Sequence, residues 1–279
     1  MRISLIVATV NRTSELAELF KSLSEQEFKD FEVLIIDQNQ AGFLDDIINE
    51  YNSKFAIKHF LVDFKHLAKA RNYGLDRSTG DIVCFPDDDC KFYKDTLQTV
   101  HDFLCSTNNN FLLGRIVNPD GSPVLKNWKT KAFYVSKFKL YRNLSAITYF
   151  GYNNDTRFDE RLGVGGSFGS CEDVDYVYRI LKSIPRKIYY CPQVKVWHPD
   201  EKIEGLDLHK IEKYGRGFGA FCRKNFDWPL FVLFFGIIIY HFVFGFFSLL
   251  KLDFSNYKKR MKYVTSRAEG FCQFKGGIR

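Results

Sequence analysis

Two continuous apolar runs near the start of the chain constrain its fold more than any other feature. The runs are "ISLIVAT" at residues 3–9 and "FEVLIID" at residues 31–37, and both are rich in β-branched side chains. Neither run alternates apolar with polar residues, so each predicts a strand that is covered on both faces. Such strands occur in parallel sheets that carry helices on both sides, and the sequence therefore predicts an α/β fold.

The segments between these runs have helical spacing. Leucine and phenylalanine recur at that spacing over residues 14–26, with Ser14 as the expected N-cap, and a second helical pattern covers residues 43–52. A short strand is expected at residues 57–62, and a helix within residues 66–81 that ends at Ser-Thr-Gly. This alternation predicts a parallel sheet that binds its ligands at the C-terminal ends of the strands.

The second half of the chain is less regular. "NPDGSP" at residues 118–123 predicts a turn, and the Gly-rich segment 161–173 predicts a loop that enters a helix at residues 172–182. Residues 187–199 are expected to be extended.

Three adjacent carboxylates, Asp87, Asp88 and Asp89, follow the apolar run "DIVCF". They repel one another, so their position at a strand end predicts a positive partner. The cluster alone leaves two interpretations open: a helix N-cap with solvated acids, or a divalent metal site. Mg²⁺ and Mn²⁺ take carboxylate ligands and complete their shell with phosphate oxygens and water. A metal there would neutralise the charge that develops on a departing diphosphate.

The charge of the chain, +7 from 40 Lys+Arg against 33 Asp+Glu, is unevenly distributed. Residues 251–279 carry eight of the basic residues and two acids, directly after an apolar stretch. Basic charge beside apolar surface predicts a membrane surface with anionic lipid as partner, and no nucleic-acid-binding motif accompanies it. Seven scattered cysteines without a CxxC pair favour neither a disulfide framework nor a zinc site, and the first residues lack a cleavage-site pattern. The body of the protein is expected to face the cytoplasm.

Six motifs, in order, resemble those of family 2 glycosyltransferases of the inverting, GT-A-fold type from bacterial polysaccharide biosynthesis. They are "SLIVATVNR", "VLIIDQN", "AKARNYGL", "GDIVCFPDDDC", "FDERLGVGGSFGSCEDVDYVYRIL" and "IYYCPQVKVWHP". The resemblance implies a Rossmann-like, mostly parallel sheet flanked by helices, in a GT-A catalytic domain over residues 1–225. Residues 1–110 would bind the nucleotide-sugar and residues 111–225 the acceptor. Residues 226–279 would form a helical, membrane-associating C-terminal segment.

The same resemblance assigns the donor site. Thr9, Asn11 and Arg12 would line the nucleotide pocket, and Asp37 would accept a hydrogen bond from the base. Arg71 would approach the diphosphate, where a guanidinium suits phosphate oxygens. From the residues alone, the first four are also compatible with ordinary turn formers at strand ends. Asp37 is followed by Gln-Asn, where many members of the family have a second acid.

The resemblance also assigns a metal site, for Mg²⁺ or Mn²⁺. Asp87 and Asp89 would form its DxD motif, with Asp89 as the direct ligand and Asp88 or Asp87 touching ribose or metal. His198, in "WHP", would complete the metal or diphosphate site. Without the resemblance, a single histidine at a strand end would be interpreted as structural.

Glu172 and Asp173 lie at the predicted start of a helix, where the helix dipole favours ionised acids, so a capping role is one interpretation. The resemblance implies that Asp173 is the general base for the acceptor hydroxyl and that Glu172 positions the acceptor. Asp175 and Arg179 are four residues apart and are expected to pair structurally. The residues before Glu172 are Ser-Cys, where glycine is frequent in the family.

The apolar stretch at residues 228–250 has 23 residues and only His241 as an ionisable group, which is enough to cross a bilayer. Both of its flanks are basic, so a single crossing would violate the positive-inside tendency. A segment that lies in the interface or re-enters is therefore expected, rather than a span; a buried helix of a soluble domain is the third alternative. Similar family members carry "YGRGFGA" and an element like Arg267–Gly270, and act on lipid-linked acceptors.

The sequence thus predicts an enzyme at the cytoplasmic face of the inner membrane, peripheral, monotopic or single-span. It would transfer a hexose or deoxyhexose from a nucleoside-diphosphate-sugar to a glycan or lipid-linked glycan acceptor. One rival is a sugar-phosphate nucleotidyltransferase, which should carry a Gly-rich basic loop after the first strand, whereas "VNRTSE" has no glycine. Another is a catalytically inactive membrane-tethered scaffold that binds nucleotide-sugar.

Overall fold

The computed structural model describes residues 1–184, 188–199 and 207–276, and nine strands of this part of the chain form one sheet. The strands are β1 Ile3–Thr9, β2 Phe31–Asp37, β3 Ala56–Leu61, β4 Ile82–Cys84, β5 Lys91–Phe92, β6 Phe111–Ile116, β7 Phe133–Tyr134, β8 Tyr149–Tyr152 and β9 Ile188–Trp197. The helices are α1 Ser14–Ser24, α2 Asp45–Tyr51, α3 Leu67–Leu75, α4 Thr96–Ser106, α5 Lys137–Asn143, α6 Glu172–Ser183, α7 Leu208–Lys224, α8 Trp228–Leu250 and α9 Phe254–Gln273. A 3-10 turn at Ala146–Thr148 precedes β8.

The sheet has the strand order β3-β2-β1-β4-β8-β6-β9-β5, with β7 beside β9. Its first four strands are parallel, as the sequence predicts. Every residue of β2 is buried, and β1 is buried except at Ala8, which explains why neither strand alternates. The register places Thr9 opposite Asp37, so the polar residues after the two strands meet at one edge.

The second half of the sheet is mixed. β8 runs antiparallel to both of its neighbours, β4 and β6, and β9 is parallel to β6 but antiparallel to β5 and β7. A parallel pair needs a crossover connection. The chain between β6 and β8 instead makes an excursion through short elements and returns in the opposite direction.

The helix boundaries follow the sequence prediction closely, with one error in capping. Thr13, not Ser14, occupies the N-cap of α1, and its side chain makes no capping hydrogen bond. The helix expected within residues 66–81 is α3, which is capped by His66: its Nδ1 accepts a hydrogen bond from the Lys69 amide at 3.3 Å. Residue 187, the first residue of the expected extended segment, lies outside the described residues.

The last three helices pack side by side. A Cβ on Gly215 of α7 would collide with Ser266 of α9, and a Cβ on Gly270 of α9 would collide with the backbone at Arg216 of α7. Glycine at these positions therefore allows α7 and α9 to approach closely. α8 packs along α9 and, through Phe234, on Phe218 of α7, and of the helices in the described ranges it alone is long and apolar enough to cross a membrane.

Candidate active site

A cleft of about 810 Å³ opens beyond the C-terminal ends of β1, β2 and β4. Its walls come from the strand ends, the start of α3, the Gly-rich loop, the first turn of α6 and the exposed side of α7. The cleft is lined by six of the residues that the sequence predicts as functional: Arg12, Asp87, Asp88, Asp89, Asp173 and His198. The acidic strand end and the acidic helix start therefore share one cavity, although the sequence separates them by more than 80 residues.

Asp87, Asp89 and His198 form a set of possible metal ligands. One ligand atom from each lies within 4.8 Å of the other two. Asp89 Oδ1 is buried and makes no hydrogen bond, and the Nε2 atom of His198 is 3.4 Å from it. Two carboxylates and an imidazole are suitable ligands for a divalent cation, and such a cation would give Asp89 Oδ1 the partner that it lacks.

The electrostatics of this set also call for a cation. Burial raises the pKa of Asp87, and the negative charges of Asp89 and Asp173 act in the same direction, although Arg71 and His198 oppose them. Burial is also the main cause of the raised pKa of Asp88. A bound cation would favour the ionised form of these acids by adding positive charge where burial has removed water.

Asp88 faces Arg12 rather than the ligand set. Nη1 of Arg12 donates to Asp88 Oδ1 at 2.8 Å and to Asp89 Oδ2 at 2.5 Å. The Arg12 side chain is 40% exposed and lines the cleft, so it can donate to an incoming anion. Arg12 therefore positions two of the three acids and also presents positive charge to the cavity.

Arg71 lies beneath the cleft. It is 2% exposed, and its guanidinium donates to Asp87 Oδ1 at 3.1 Å and to Glu172 Oε1 at 2.9 Å. The Cζ atom of Arg71 lies 5.5 Å from the ring centre of Phe158, which is a cation–π contact. The direct contact with diphosphate that the sequence suggests stays a prediction, since the structure shows Arg71 joining the strand-end acids to the start of α6.

The N-terminal turn of α6 presents Asp173 to the cleft and buries Glu172. Cys171 adopts a left-handed conformation, with φ of 68°, so the chain turns sharply into the helix. Asp173 lines the cavity, and its Oδ1 accepts a hydrogen bond from the Val174 amide at 2.7 Å. Glu172 packs against Gly163, where a Cβ would approach its carboxylate to 2.9 Å. Of the two acids, Asp173 is thus the one that lines the cleft, and the contact of Glu172 with the acceptor stays a prediction.

The charge state of Glu172 couples stability to pH. Burial, and then the charge of Asp173, raise the pKa of Glu172 from 4.5 to about 7, against the attraction of Arg71. The native state therefore keeps a proton that the unfolded chain releases. Its favourable contribution to stability is complete below about pH 4.5 and is lost as the pH rises through about 7.

We expect Glu172→Gln to gain stability over the wild type as the pH rises from 4.5 to 8, by up to about 3 kcal/mol. The amide stays neutral, whereas the buried carboxyl must ionise. Urea unfolding of both proteins at the two pH values measures the difference, with the exposed Glu269→Gln as the control for loss of one charge. A difference between Glu172→Gln and wild type that is constant with pH would contradict the prediction.

The residues predicted to bind the nucleotide, Thr9, Asn11 and Asp37, lie at the ends of β1 and β2 and make local contacts. Asp37 is buried; its Oδ2 lies 2.8 Å from His59 Nε2, and its Oδ1 accepts from the backbone and side-chain nitrogens of Asn39. Asn39 Oδ1 in turn accepts a hydrogen bond from the backbone amide of Asn11, and Asn11 has a φ of 56°. Thr9 is 1% exposed at the end of β1. Thr9, Asn11 and Asp37 do not line the cleft, although their neighbours Val10 and Gln38 do, and their recognition of a nucleobase stays a prediction.

Lys126 is a site residue to which no sequence motif points. It lines the cleft, its Nζ donates to the Leu144 carbonyl at 2.6 Å, and it lies 4.4 Å from the ring centre of Trp128. Burial lowers its pKa to about 8, while the charge of Asp173 acts in the opposite direction. It follows a turn with no recognisable motif, in which Leu125 has φ of 65°, so only the tertiary structure shows that it faces the candidate base.

Comparison with known proteins identifies the family of the chain. The family model described as "Glycosyl transferase family 2" matches residues 4–173, more than half of the chain. The chain belongs to glycosyltransferase family 2. The matched region contains the strand-end acids and ends on Asp173, while His198 and the three last helices lie beyond it.

The relatives include a Campylobacter jejuni protein named GalNAc(5)-diNAcBac-PP-undecaprenol beta-1,3-glucosyltransferase. It is 33% identical over 102 residues, which cover 36% of this chain and 33% of the relative. The matches with four curated relatives cover between 18% and 33% of those proteins' own lengths.

Two solved structures show the same fold. Staphylococcus aureus TarS 1–349 in complex with UDP-GlcNAc has a TM-score of 0.61 at 22% identity, covering 78% of this chain and 66% of that one. The mannosyltransferase PcManGT from Pyrobaculum calidifontis, in complex with GDP-Man and Mn²⁺, has a TM-score of 0.65 at 15% identity, covering 98% and 88%. The fold is thus the GT-A fold, with an apolar C-terminal helix.

Proposed function

We propose that this protein is a metal-dependent, inverting glycosyltransferase. It transfers a hexosyl or deoxyhexosyl group from a nucleoside-diphosphate-sugar to a glycan acceptor, lipid-linked, in the synthesis of a cell-surface polysaccharide. One observation carries the proposal: the ligand set Asp87, Asp89 and His198 shares a cleft with a separate carboxylate, Asp173. That arrangement supplies both a diphosphate site and a base.

The names of the relatives support the substrate classes. Proteins of the same fold have been solved with UDP-GlcNAc and with GDP-Man and Mn²⁺, and the Campylobacter relative is named for an undecaprenol-linked glycan. We extend to this chain the donor class, the use of Mn²⁺ or Mg²⁺, and a lipid-linked acceptor.

The donor side of the mechanism follows from charge. Asp87, Asp89 and His198 would hold the divalent ion, which supplies positive charge to the diphosphate as it leaves. Arg12, on the opposite side of the acids, retains exposed donors that can bind phosphate oxygens. Together these groups would hold the donor diphosphate at the strand ends, in the cleft that Asp173 also lines.

Asp173 would act on the acceptor side. Its carboxylate takes the proton from the acceptor hydroxyl while that oxygen forms a bond to the anomeric carbon. The bond from this carbon to the diphosphate breaks on the opposite face, so the configuration inverts and nucleoside diphosphate leaves. Glu172 and Arg71 position Asp173 by anchoring the first turn of α6 to Asp87.

Two rival functions make different demands on these residues. A sugar-phosphate nucleotidyltransferase would need phosphate-binding backbone directly after β1, and the family assignment argues against it. A scaffold that only binds nucleotide-sugar would use the ligand set but would have no need for Asp173 in the same cleft. The effect of replacing Asp173 therefore separates enzyme from scaffold.

A panel of nucleotide-sugars, assayed by thermal unfolding of the purified protein, tests the donor assignment. We expect at least one nucleoside-diphosphate-sugar to raise Tm in Mn²⁺ or Mg²⁺ and not in EDTA. A ligand at 100 times its Kd stabilises the native state by about 2.7 kcal/mol. If no donor in the panel raises Tm with either metal, the proposal is wrong.

A further inference from the structure

α8 has an apolar surface that the rest of the described chain leaves uncovered. Its buried residues form one narrow stripe: Leu230, Phe234, Gly245 and Ser248. Large apolar side chains occupy the remaining surface, with exposed fractions of 59% at Ile239, 60% at Phe242 and 54% at Phe246. These three residues follow helical spacing and lie on one face. No charged residue interrupts the helix, so its surface is suited to hydrocarbon.

The other side of α8 is attached to α9 along its length. His241 stacks on Tyr263 at 4.4 Å between ring centres, and Phe234 approaches Phe271 at 4.7 Å. The side-chain amide of Asn256 donates to Ser248 Oγ at 3.0 Å. The N-terminal part of α8 thus contacts the C-terminal part of α9, and the reverse holds at the other end. The two helices form an antiparallel hairpin whose turn lies at residues 251–253.

α9 is in turn attached to the catalytic part of the protein through α7. Lys262 pairs with Glu212 at 2.6 Å, and the close approach at Gly215 and Gly270 continues this contact along both helices. α7 contributes Phe218 and Phe221 to the main core. α7, α9 and α8 therefore pack together on the side of the domain. The first turns of α8 reach the core, where Phe234 stacks on Phe218 of α7, and its exposed apolar residues face away from it.

This arrangement is incompatible with a membrane span. A crossing by α8 would draw the attached α9 into the bilayer, with its charged residues Arg260, Lys262, Arg267 and Glu269, or would separate α9 from α7. Charged side chains in hydrocarbon are strongly unfavourable, and the contacts between α7 and α9 include buried backbone packing. α8 can meet lipid without these losses only if it lies along the membrane surface.

The charge beside α8 identifies the kind of lipid. Exposed or partly exposed basic residues surround the hairpin turn and the first turns of α9: Lys251, Lys258, Lys259 and Arg260. Asp253 is the acid among residues 251–262. Lysine and arginine at the edge of an apolar surface bind anionic headgroups while the apolar residues enter the acyl region.

We propose that the α8–α9 hairpin is an in-plane anchor that holds the enzyme on an anionic lipid surface without crossing it. This inference deepens the membrane partner of the proposed function and rests on it for its biological purpose, but its evidence lies outside the cleft. α7 joins the two, since it packs on α9 and also carries Lys210 and Tyr214 into the cleft wall. The anchor therefore fixes the acceptor side of the cleft relative to the lipid surface.

Vesicle flotation of the full chain tests the anchor. The protein is mixed with preformed vesicles of phosphatidylcholine alone or with phosphatidylglycerol, at low and high salt. We expect flotation with the anionic vesicles, weaker at high salt, and a fall of about a hundredfold or more in partitioning for the triple variant Ile239→Glu, Phe242→Glu, Phe246→Glu. Phe43→Glu, at an apolar residue 44% exposed far from α8 in sequence, is the matched control.

Metal-dependent stabilisation by nucleotide-sugar shows that the triple variant is folded. This readout depends on the cleft and flotation does not, so failure of the anchor and failure of the proposed function are distinguishable. Wild-type protein that does not float with either vesicle overturns the anchor. A wild-type dimer that the triple variant converts to monomer, without any flotation, assigns α8 to a second copy of the chain instead.

The topology is tested at the hairpin turn. Ser255→Cys introduces a thiol at an exposed residue one position into α9, and Cys105 and Cys272 are the exposed cysteines of the described chain, to be replaced by serine as background. With protein added outside preformed vesicles, we expect a membrane-impermeant thiol reagent in the outer solution to label Cys at 255. Labelling by a reagent enclosed in the vesicle lumen would show that the turn crosses, and would overturn the in-plane anchor.

Discussion

Asp173→Asn is expected to reduce the rate of sugar transfer by about 10²–10⁴, the range for loss of a general base. The amide nearly matches the carboxylate in shape, and its oxygen can still accept the hydrogen bond from the Val174 amide. It cannot take the proton from an acceptor hydroxyl. Donor binding should be unchanged, because Asp173 is not among the metal ligands.

Steady-state transfer and donor binding, measured on the same preparation, check this result. Asp102→Asn is the control, since that side chain is 64% exposed on α4. Transfer by Asp173→Asn at the wild-type rate would remove the base from the mechanism.

Asp89→Ala is expected to abolish the metal dependence of donor binding and to weaken that binding by at least about 100-fold, since even partners behind the ligands can contribute 10–100-fold. The substitution removes the buried oxygen that has no hydrogen-bond partner and that lies nearest to His198. Calorimetric titration of donor into protein, in Mn²⁺ and in EDTA, measures both effects.

Asp88→Asn is the matched comparison for this substitution. Asp88 is adjacent in sequence and binds the same arginine, but it is absent from the ligand set of Asp87, Asp89 and His198. We expect Asp88→Asn to retain the difference between Mn²⁺ and EDTA. Equal losses of metal dependence in the two variants would mean that the acidic triplet acts through its total charge and not through coordination by Asp89.

The parallel half of the sheet could be predicted because its determinants are local. The runs at residues 3–9 and 31–37 are buried on both faces, and a strand with that environment has a continuous apolar sequence. The predicted N-cap of α1 was wrong by one residue: Thr13 occupies that position without a side-chain capping hydrogen bond, although serine is the better capping residue. The antiparallel direction of β8 depends on the path of the chain between β6 and β8, which no local sequence pattern encodes.

The candidate site divides in the same way. The acids at the ends of parallel strands converge by topology, so their proximity to one another and to Arg12 could be expected from the sequence. His198 and Asp173 were assigned through a family resemblance, and the structure brings both to the same cleft. Lys126 could not be found in this way, because it belongs to no motif.

Arg71 shows the limit of assigning a role by motif. An arginine that binds diphosphate and an arginine that only forms an internal ion pair would both lie near these acids. The two roles therefore have the same sequence pattern. Only the packed structure shows Arg71 buried between Asp87 and Glu172. The burial follows from Phe85 and Phe158, whose rings lie 6.0 Å and 5.5 Å from it.

The sequence by itself determined the class of fold, the order of strands and helices in the parallel half of the sheet, and the clustering of acids at a strand end. These properties follow from short-range periodicity and from the fixed direction of parallel strands. The tertiary structure alone decided which acid faces the cleft, and that α8 lies along α9. Those outcomes depend on contacts between residues far apart in the chain, such as Gly215 with Ser266, whose free energy appears only when both helices are in place.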